Sequence, residues 1–271
     1  MQDLQEARLH HAPLIDVLIP CIEKDLGTLP YVIDHIRRYV QHPIGQIYIV
    51  SPESSRIRKL CARKKCVFVN ERSVLPITKK DIHYSSSRWN RSGWLYQQLL
   101  KMNGDRIVKA PYFLVMDADT VLIRPHTFVK NGKTVFYCRD WSQPEYFQTY
   151  RKLMGMKAPR PRSFVTHYML FDKARLSSLK KKIEAIHHLT WYKAIIQTID
   201  KKKQFGFSEY ETYANYLYTL NPEAVILKSA KNKSLNMNAN SLSKQKLNEF
   251  ALKYRSLSFH KRKIYSKIRR A

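Results

Sequence analysis

The sequence lacks any run of apolar residues long enough to cross a membrane, which takes about 18 consecutive residues. Its opening, MQDLQEARLHHAP, has no apolar core of the kind found in signal peptides. Its four cysteines, Cys21, Cys61, Cys66 and Cys138, include no CxxC pair. We therefore expect a cytoplasmic protein, peripheral at the inner face of the membrane, with reduced structural thiols instead of a zinc site or a disulfide framework.

Acidic residues are also scarce. The chain has 21 Asp and Glu against 49 Lys and Arg, which gives a formal net charge of +28. Such an excess predicts a polyanionic partner: nucleic acid, an anionic membrane surface or a phosphorylated substrate. The basic residues are spread along the chain, without a zinc-finger spacing or an aromatic K/R-G-F signature. This pattern argues against nucleic acid and leaves a nucleic-acid-binding protein as the alternative hypothesis.

The first half of the chain alternates short apolar runs with amphipathic stretches. With 44% hydrophobic residues, 271 residues can bury one substantial core. Alternating strands and helices predict an α/β fold with a mostly parallel central sheet, in which ligands bind outside the carboxyl ends of the strands. The predicted strands are LIDVLIP (14–20), QIYIVSP (46–52) and CVFVNE (66–71), and the predicted helices are LPYVIDHIRRYV (29–40), SRIRKLCARKK (55–65) and GWLYQQLLKM (93–102).

The second half is less regular. TVFYC (134–138) and FVTHYMLFD (164–172) are predicted strands, and between them the Pro- and Arg-containing segment GMKAPRPRS is a loop suited to close over an anionic ligand. An apolar stripe predicts a helix over 176–199. From residue 228 the chain is polar, then helical around KLNEFALKYRSL, and it ends in HKRKIYSKIRRA, a basic tail suited to anionic lipid headgroups.

Two carboxylates stand one residue apart in YFLVMDADTVLIRP (112–125), at the end of an apolar run that is typical of a buried strand. Asp117 and Asp119 can converge on one cation where that strand gives way to a turn. Oxygen ligands without nearby Cys or His favour Mg²⁺ or Mn²⁺, which complete their shells with substrate phosphates. The spacing therefore predicts a metal-bound diphosphate, and the alternative is that the two residues cap a turn.

The segment DADTVL (117–122) resembles the signature of haloacid-dehalogenase-type phosphatases, in which the first Asp is the nucleophile and the second a general acid. That signature sits on the first strand of its domain and needs a downstream acidic pair. Here more than one hundred residues precede it, and the later acids Asp140, Asp172 and Asp200 are solitary. The phosphatase is therefore the weaker alternative.

A better match is to GT-A-type glycosyltransferases, in which a D-x-D strand holds the donor diphosphate through a divalent metal. The ordered segments resemble an uncharacterised bacterial glycosyltransferase-like family found with surface-polysaccharide genes, and the resemblance covers roughly residues 14–262. The chain lacks the terminal HxxGxxKPW of glycogenin-like retaining enzymes, so we expect inversion. The segments are GWLYQQLLKM, YFLVMDADTVLIRP, THYMLF, GFSEYETYANYL and SFHKR.

The resemblance implies a GT-A single domain over 1–227, with a nucleotide-sugar half near 14–125 and an acceptor half near 126–227. Residues 228–271 would form a basic C-terminal extension that packs on the domain or faces the membrane. The implied donor is a UDP- or GDP-sugar bound with Mn²⁺ or Mg²⁺. The implied acceptor is a hydroxyl of a saccharide or lipid-linked glycan, such as lipopolysaccharide or capsule.

The resemblance also implies roles for individual residues. The turn after the first strand and the helix before the D-x-D strand would face the donor, while Trp94 on that helix is assigned to the core. The D-x-D pair and a late histidine would hold the metal, and His167 would line the sugar and acceptor pocket. The donor-side residues are Pro20, Glu23, Lys24, Asp25, Arg91, Gln97, Gln98 and Ala118, and the metal ligands, which also face the donor, are Asp117, Asp119 and His260.

The catalytic base is expected in FGFSEYETYANYL. Ser208 followed by Glu211 is a capping box, so a helix should begin at Ser208, with Glu211 reaching back to its backbone. Glu209 has no evident partner in the sequence and is free to take the proton from the acceptor hydroxyl. We favour Glu209 over Glu211 as the base. The alternative is that both are helix-start carboxylates stabilised by the helix dipole.

Overall fold

The computed structural model describes residues 12–159 and 162–260, and its strands and helices are numbered along the chain. The strands are β1 (Ile15–Pro20), β2 (Ile44–Ser51), β3 (Val67–Asn70), β4 (Ser85–Ser86), β5 (Trp89–Asn90), β6 (Tyr112–Met116), β7 (Thr120–Leu122), β8 (Val129–Lys130), β9 (Lys133–Cys138), β10 (Tyr168–Asp172), β11 (Val225–Ser229), β12 (Asn232–Leu235) and β13 (Ser256–Phe259). The α-helices are α1 (Leu29–Tyr39), α2 (Ser55–Arg63), α3 (Ser92–Met102), α4 (Pro144–Met154), α5 (Lys173–His187), α6 (Trp191–Thr198), α7 (Glu209–Leu220) and α8 (Lys244–Lys253).

The central sheet has five strands in the order β10-β6-β1-β2-β3. Four of them run parallel, and β10 pairs antiparallel with β6. All six residues of β1 are buried, which explains why its sequence is a continuous run without polar alternation. The predicted α/β fold with a mostly parallel central sheet is therefore confirmed.

One charged residue lies inside this sheet. Asp16 on β1 is buried, and its carboxylate accepts hydrogen bonds from the backbone N–H groups of Gln46, Lys109 and Ala110, each at 2.8 Å. Three such donors compensate the loss of water around the carboxylate. Asp16 thus ties β1 to the starts of β2 and β6 and has a structural role.

The helices after the D-x-D strand differ from the prediction in two places. The predicted helix over 176–199 is two helices, α5 and α6, because His188 adopts a left-handed conformation with φ 53°. Helix α4 was not predicted, although it begins with Pro144 and ends before Gly155 at φ 68°, which are the usual start and stop residues.

The late part of the chain joins the D-x-D region through a small sheet in the order β12-β13-β7. The helix predicted around KLNEFALKYRSL is α8, which ends at Lys253, and the following residues Ser256–Phe259 form β13. Strand β13 pairs antiparallel with β7, directly after the D-x-D turn. The tail beyond His260, and with it the predicted lipid contact, lies outside the described residues. None of the described helices is long and apolar enough to cross a bilayer.

A fully buried histidine gives the fold a predicted pH dependence. The Nδ1 of His126 lies 2.7 Å from the Arg124 carbonyl and its Nε2 lies 3.0 Å from the Tyr168 hydroxyl, so a neutral ring satisfies both groups. Burial lowers the pKa of His126 to about 4, whereas the unfolded chain protonates at 6.5. Below pH 6.5 the unfolded state therefore binds a proton that the folded state does not, and stability falls as the pH drops towards 4.

We expect the wild type to lose about 3 kcal/mol more than a His126→Gln variant between pH 6.5 and 4, from a pKa difference of roughly 2.5 units. Urea unfolding at a series of pH values measures this difference. His42, whose pKa burial also lowers to about 4, remains in both proteins and serves as the internal reference. Parallel stability curves for the two proteins would contradict the prediction.

Candidate active site

The D-x-D residues form the turn between β6 and β7. Strand β6 is central in the sheet and ends at Met116, and β7 begins at Thr120, whose N–H donates to the Asp117 carbonyl at 3.2 Å. The side chains of Asp117 and Asp119 are 21% and 33% exposed, although the strands on either side are almost wholly buried. The carboxylates thus leave the core at the carboxyl end of a central parallel strand, where α/β sheets bind ligands.

Both carboxylate oxygens of Asp117 already have partners. Lys101 Nζ and the Tyr210 hydroxyl (3.1 Å) donate to Oδ1, and His167 Nδ1 lies 3.0 Å from Oδ2. Burial on its own would raise the pKa of Asp117, but the Lys101 ammonium and the His167 imidazole outweigh it and hold that pKa well below its usual range. Asp117 is therefore an anion held in a fixed orientation.

Lys101 is a functional candidate that the sequence analysis missed. Its side chain is 4% exposed, and its Nζ donates to Asp117 and, at 2.7 Å, to Glu209 Oε1. Burial disfavours its charge, but the two carboxylates outweigh that effect and raise the pKa of Lys101. The sequence feature that could have identified it is the position of this lysine, next to Met102 within the largely apolar helix GWLYQQLLKM.

His260 reaches the site through strand pairing. Ser258 pairs with Thr120, and the Phe259 N–H donates to the Asp119 carbonyl at 2.8 Å, so the next residue lies beside the D-x-D turn. There His260 Nδ1 is 3.0 Å from Asp119 Oδ2, while its buried Nε2 has no hydrogen-bond partner. The rings of His260 and His167 are 5.2 Å apart, which brings both predicted histidines to one turn.

The side chains at the D-x-D turn can be compared with the ligands expected for the predicted metal ion. Within the part of the chain that the structure describes, no three His, Cys, Asp or Glu side chains are grouped to hold an ion as they stand. Asp119 and His260 fit one, because they offer an adjacent carboxylate and imidazole, which suit Mn²⁺, and because one ring nitrogen lacks a partner. Asp117 Oδ1 already accepts from Lys101 and Tyr210, whereas Oδ2 contacts His167 and keeps one lone pair that could face an ion.

The two glutamates of α7 point to different groups. Ser208 caps the helix by accepting from the Glu211 N–H, as predicted. The Glu211 carboxylate, however, accepts from the hydroxyls of Ser142 (2.8 Å) and Ser163 (2.6 Å) instead of returning to the Ser208 backbone. The expectation that Glu209 lacks a partner is wrong, because Lys101 holds its carboxylate. Burial raises the pKa of both glutamates.

A sequence profile of a family of unknown function (DUF6492) matches residues 15–250. The chain belongs to this family. A search of curated proteins gave no match.

Two solved glycosyltransferase structures resemble this DUF6492 chain over most of its length. The apo structure of the bifunctional glycosyltransferase WbbM has a TM-score of 0.49 and 12% identity, covering 91% of this chain and 46% of that one. The apo form of mouse xyloside xylosyltransferase 1 has a TM-score of 0.47 and 14% identity, covering 90% and 97%. This chain thus spans about half the length of WbbM. At these TM-scores and identities, neither likeness assigns an activity to it.

The turn after β1 brings one further carboxylate to the D-x-D turn of this DUF6492 chain. Burial raises the pKa of Asp25, and the nearby charges of Asp119 and Asp117 add to the rise. Glu23 instead accepts from the Ser54 hydroxyl at 2.6 Å and points towards α2. Lys24 is exposed.

The donor-facing candidates are Arg91, which precedes α3, and two glutamines of α3, which contact the end of β1 and the start of α7. Gln97 Nε2 donates to the Pro20 carbonyl at 3.4 Å, and Gln98 Oε1 accepts from the Glu209 N–H at 3.2 Å. The Arg91 guanidinium lies over the Trp94 ring at 5.3 Å. Trp94 is partly buried against the core, as assigned.

His167 was predicted on a strand, but it precedes β10 and has φ 73°. A left-handed conformation is strained for a residue other than glycine. Its carbonyl accepts from the Asp117 N–H at 2.9 Å, and its ring contacts the same residue's carboxylate. The strained residue is therefore the one whose backbone and side chain both hold Asp117 in place.

A cavity of about 280 Å³ lies at the other end of the sheet, at the start of β2. It has no residue in common with the D-x-D site. Its lining residues are Arg37, His42, Ile44, Gly45, Ile47 and Lys65.

Proposed function

We propose that this chain is a GT-A-type glycosyltransferase. It would move a sugar from a UDP- or GDP-linked donor to a hydroxyl of a surface glycan, with inversion at the anomeric carbon. One observation carries the proposal: at the carboxyl end of β6, Asp117 and Asp119 meet His260 on one side and, through Lys101, Glu209 on the other. A carboxylate pair of this kind beside a buried carboxylate suits a leaving diphosphate and a proton acceptor.

Asp119 and His260 would hold the Mn²⁺ or Mg²⁺, with Asp117 as the third predicted ligand. The ion supplies charge neutralisation of the departing nucleoside diphosphate. Lys101 keeps Asp117 ionised and oriented beside that position. The ring of His167, a residue with a left-handed backbone, contacts the other oxygen of the same carboxylate.

Glu209 would act as the base. The acceptor oxygen attacks the anomeric carbon, the bond from that carbon to the diphosphate oxygen breaks, and the acceptor proton passes to the Glu209 carboxylate. Burial favours this step because it raises the pKa of Glu209, which makes the carboxylate a better proton acceptor. Attack opposite to the leaving group inverts the configuration.

Nucleotide binding tests the proposal. With Mn²⁺ and UDP or GDP at about one hundred times Kd, we expect stabilisation of about 2.7 kcal/mol, or roughly 5–10 °C in Tm. Asp119→Asn should remove this shift, since the amide is a poor ligand for the ion. Differential scanning calorimetry with and without EDTA measures both results. No shift with either nucleotide in the wild type would contradict the transferase.

The net charge of +28 keeps a nucleic-acid-binding protein as the second candidate. Stabilisation by a single-stranded oligonucleotide alone, unaffected by Asp119→Asn, would favour that candidate. A phosphatase would instead release phosphate from an aryl phosphate, and Asp117→Asn would abolish the release. Membrane association belongs to the same set of proposals and is tested by sedimentation with anionic vesicles.

A further inference from the structure

Helix α2 ends in a turn that brings two cysteines together. The Cys66 N–H donates to the Cys61 carbonyl at 2.9 Å, and the Lys65 N–H donates to the Ala62 carbonyl at 3.2 Å. Lys65 has the left-handed backbone, with φ 50°, that this pattern needs. The two bonds and the left-handed residue define a Schellman motif, in which the side chains at the positions of Cys61 and Cys66 frequently contact each other.

The backbone hydrogen bond also limits the separation of the two cysteines. A backbone nitrogen lies about 1.5 Å from its own Cα atom and a carbonyl oxygen about 2.4 Å from its own. A bond of 2.9 Å therefore keeps the Cα atoms of Cys61 and Cys66 within about 6.8 Å of each other. Disulfides join Cα atoms that are about 4.4–6.8 Å apart. The turn thus holds the cysteines at a separation that a disulfide can span.

Both thiols are free, and they belong to one apolar cluster. Cys61 is 3% exposed inside this cluster, whereas Cys66 is partly buried against it. Burial raises the pKa of Cys61 to about 11, and the charge of a Cys66 thiolate contributes to the rise. This electrostatic coupling agrees with the contact that the Schellman motif favours.

The two thiols differ in their access to a dissolved oxidant. The Arg37 Nη2 lies 4.0 Å from the Cys66 Sγ, which donates to the Lys64 carbonyl at 3.4 Å. Burial raises the pKa of Cys66, and the positive charges of Arg37 and Lys64 oppose that rise. The half-buried Cys66 is therefore the thiol that an oxidant meets first, with the buried Cys61 beside it.

We propose that Cys61 and Cys66 are a reversible modification site, which a hydroperoxide converts to a disulfide. The Cys66 thiolate attacks one peroxide oxygen, the O–O bond breaks and hydroxide leaves, so that Cys66 becomes a sulfenic acid. The Cys61 sulfur then attacks the Cys66 sulfur, the S–O bond breaks, and the departing hydroxide takes up the proton of the Cys61 thiol. With hydrogen peroxide, two thiols are oxidised and two water molecules form.

This site is separate from the proposed transferase chemistry. Cys66 precedes β3, which runs parallel to β2, β1 and β6, so the pair lies at the amino end of these strands. The D-x-D turn follows the carboxyl end of β6. The disulfide would close the turn between α2 and β3 covalently, and its test does not depend on nucleotide binding.

Peptide mapping tests the pair. The full-length protein is treated with hydrogen peroxide at about pH 8, where more thiolate is present, alkylated with iodoacetamide and digested with trypsin without reduction. Three basic residues separate the cysteines, so trypsin releases LCAR (60–63) and CVFVNER (66–72), and we expect mass spectrometry to find these two peptides linked. Two of the four thiols should be lost, and dithiothreitol should restore them.

Single variants separate the two roles. Cys61→Ser should leave Cys66 as a sulfenic acid, which dimedone labels, whereas Cys66→Ser should leave Cys61 unlabelled over the same time. Cys138→Ser is the matched control, because Cys138 is buried on β9, where its Sγ donates to the Lys228 carbonyl at 3.4 Å. This control should yield the linked peptides at the rate of the wild type.

The folded protein should need at least about tenfold more dithiothreitol for half-reduction of the disulfide than the protein in concentrated urea, because the turn holds the thiols together. Equal concentrations would overturn the proposal. It would also fail if all four thiols survived a treatment that fully oxidises added glutathione, if Cys66 became a sulfinic acid without linked peptides, or if LCAR were linked to the peptide 9–24 that carries Cys21. Equal dimedone labelling in the two single variants would overturn the assigned order of attack.

Discussion

Replacing Glu209 by Gln should lower the rate of sugar transfer by about 10²–10⁴-fold, the contribution typical of a general base. The amide keeps the shape of the side chain and can still accept from Lys101 at Oε1, but it cannot take the acceptor proton. The Kd for Mn²⁺ with UDP or GDP should change little, because the loss falls on kcat. Single-turnover transfer from the nucleotide-sugar that gives the larger thermal shift, together with calorimetric titration, measures both quantities.

Glu211→Gln is the matched control, since both residues are buried in the first turn of α7. The Glu211 carboxylate accepts from Ser142 and Ser163 and does not share Lys101 with Asp117, so its amide should retain the rate within about fivefold. The opposite order of the two variants would make Glu211 the base. A Glu209→Gln enzyme that loses nucleotide affinity and keeps kcat would show that Glu209 only positions Lys101.

Lys101→Met should destabilise the protein by about 3–5 kcal/mol, because it removes the ammonium group that pairs with both Asp117 and Glu209. The methionine fills a similar volume, so the cost comes chiefly from the buried Glu209 carboxylate and the partly exposed Asp117 carboxylate, which lose the cation between them. Urea unfolding at pH 7 measures this cost. Nucleotide binding should fall as well, since Asp117 loses the partner that orients it.

A double-mutant cycle separates the charge effect from lost packing. In Lys101→Met/Glu209→Gln one of the two stranded carboxylates is gone, so the double variant should be more stable than the sum of the single losses predicts. Simple addition of the two losses would show that the carboxylates do not depend on the lysine. Lys180→Met provides a comparison, because its buried ammonium pairs with Asp105 at 2.6 Å, far from the D-x-D turn.

The sequence located the D-x-D turn well because its information is local. An apolar run long enough for one strand ends at Asp117, and the alternation before it identifies a parallel sheet whose strand ends bind ligands. Helix α7 was likewise found from its cap at Ser208. What these patterns share is that their residues lie within a few positions of one another.

The partners of the carboxylates could not be read from the sequence in the same way. Lys101 lies 16 residues before Asp117 and 108 before Glu209, and a helical period says nothing about which strand or helix faces it. His260 was proposed from the resemblance, but its position depends on the pairing of β13 with β7. The break at His188 was missed because α5 and α6 share one apolar stripe, and periodicity continues through a short kink.

Because His260 lies far beyond Asp119 in the chain, the ribosome makes the central sheet well before it makes this histidine. All five strands of the central sheet have been translated by residue 172, yet the imidazole that contacts Asp119 lies 141 residues beyond that carboxylate. At ribosomal speeds, residues 173–260 take roughly 4–18 s to make. A nascent polypeptide can therefore assemble its central sheet while Asp119 still lacks its imidazole partner, so an unfinished chain would not yet hold the cation that we propose for this pair.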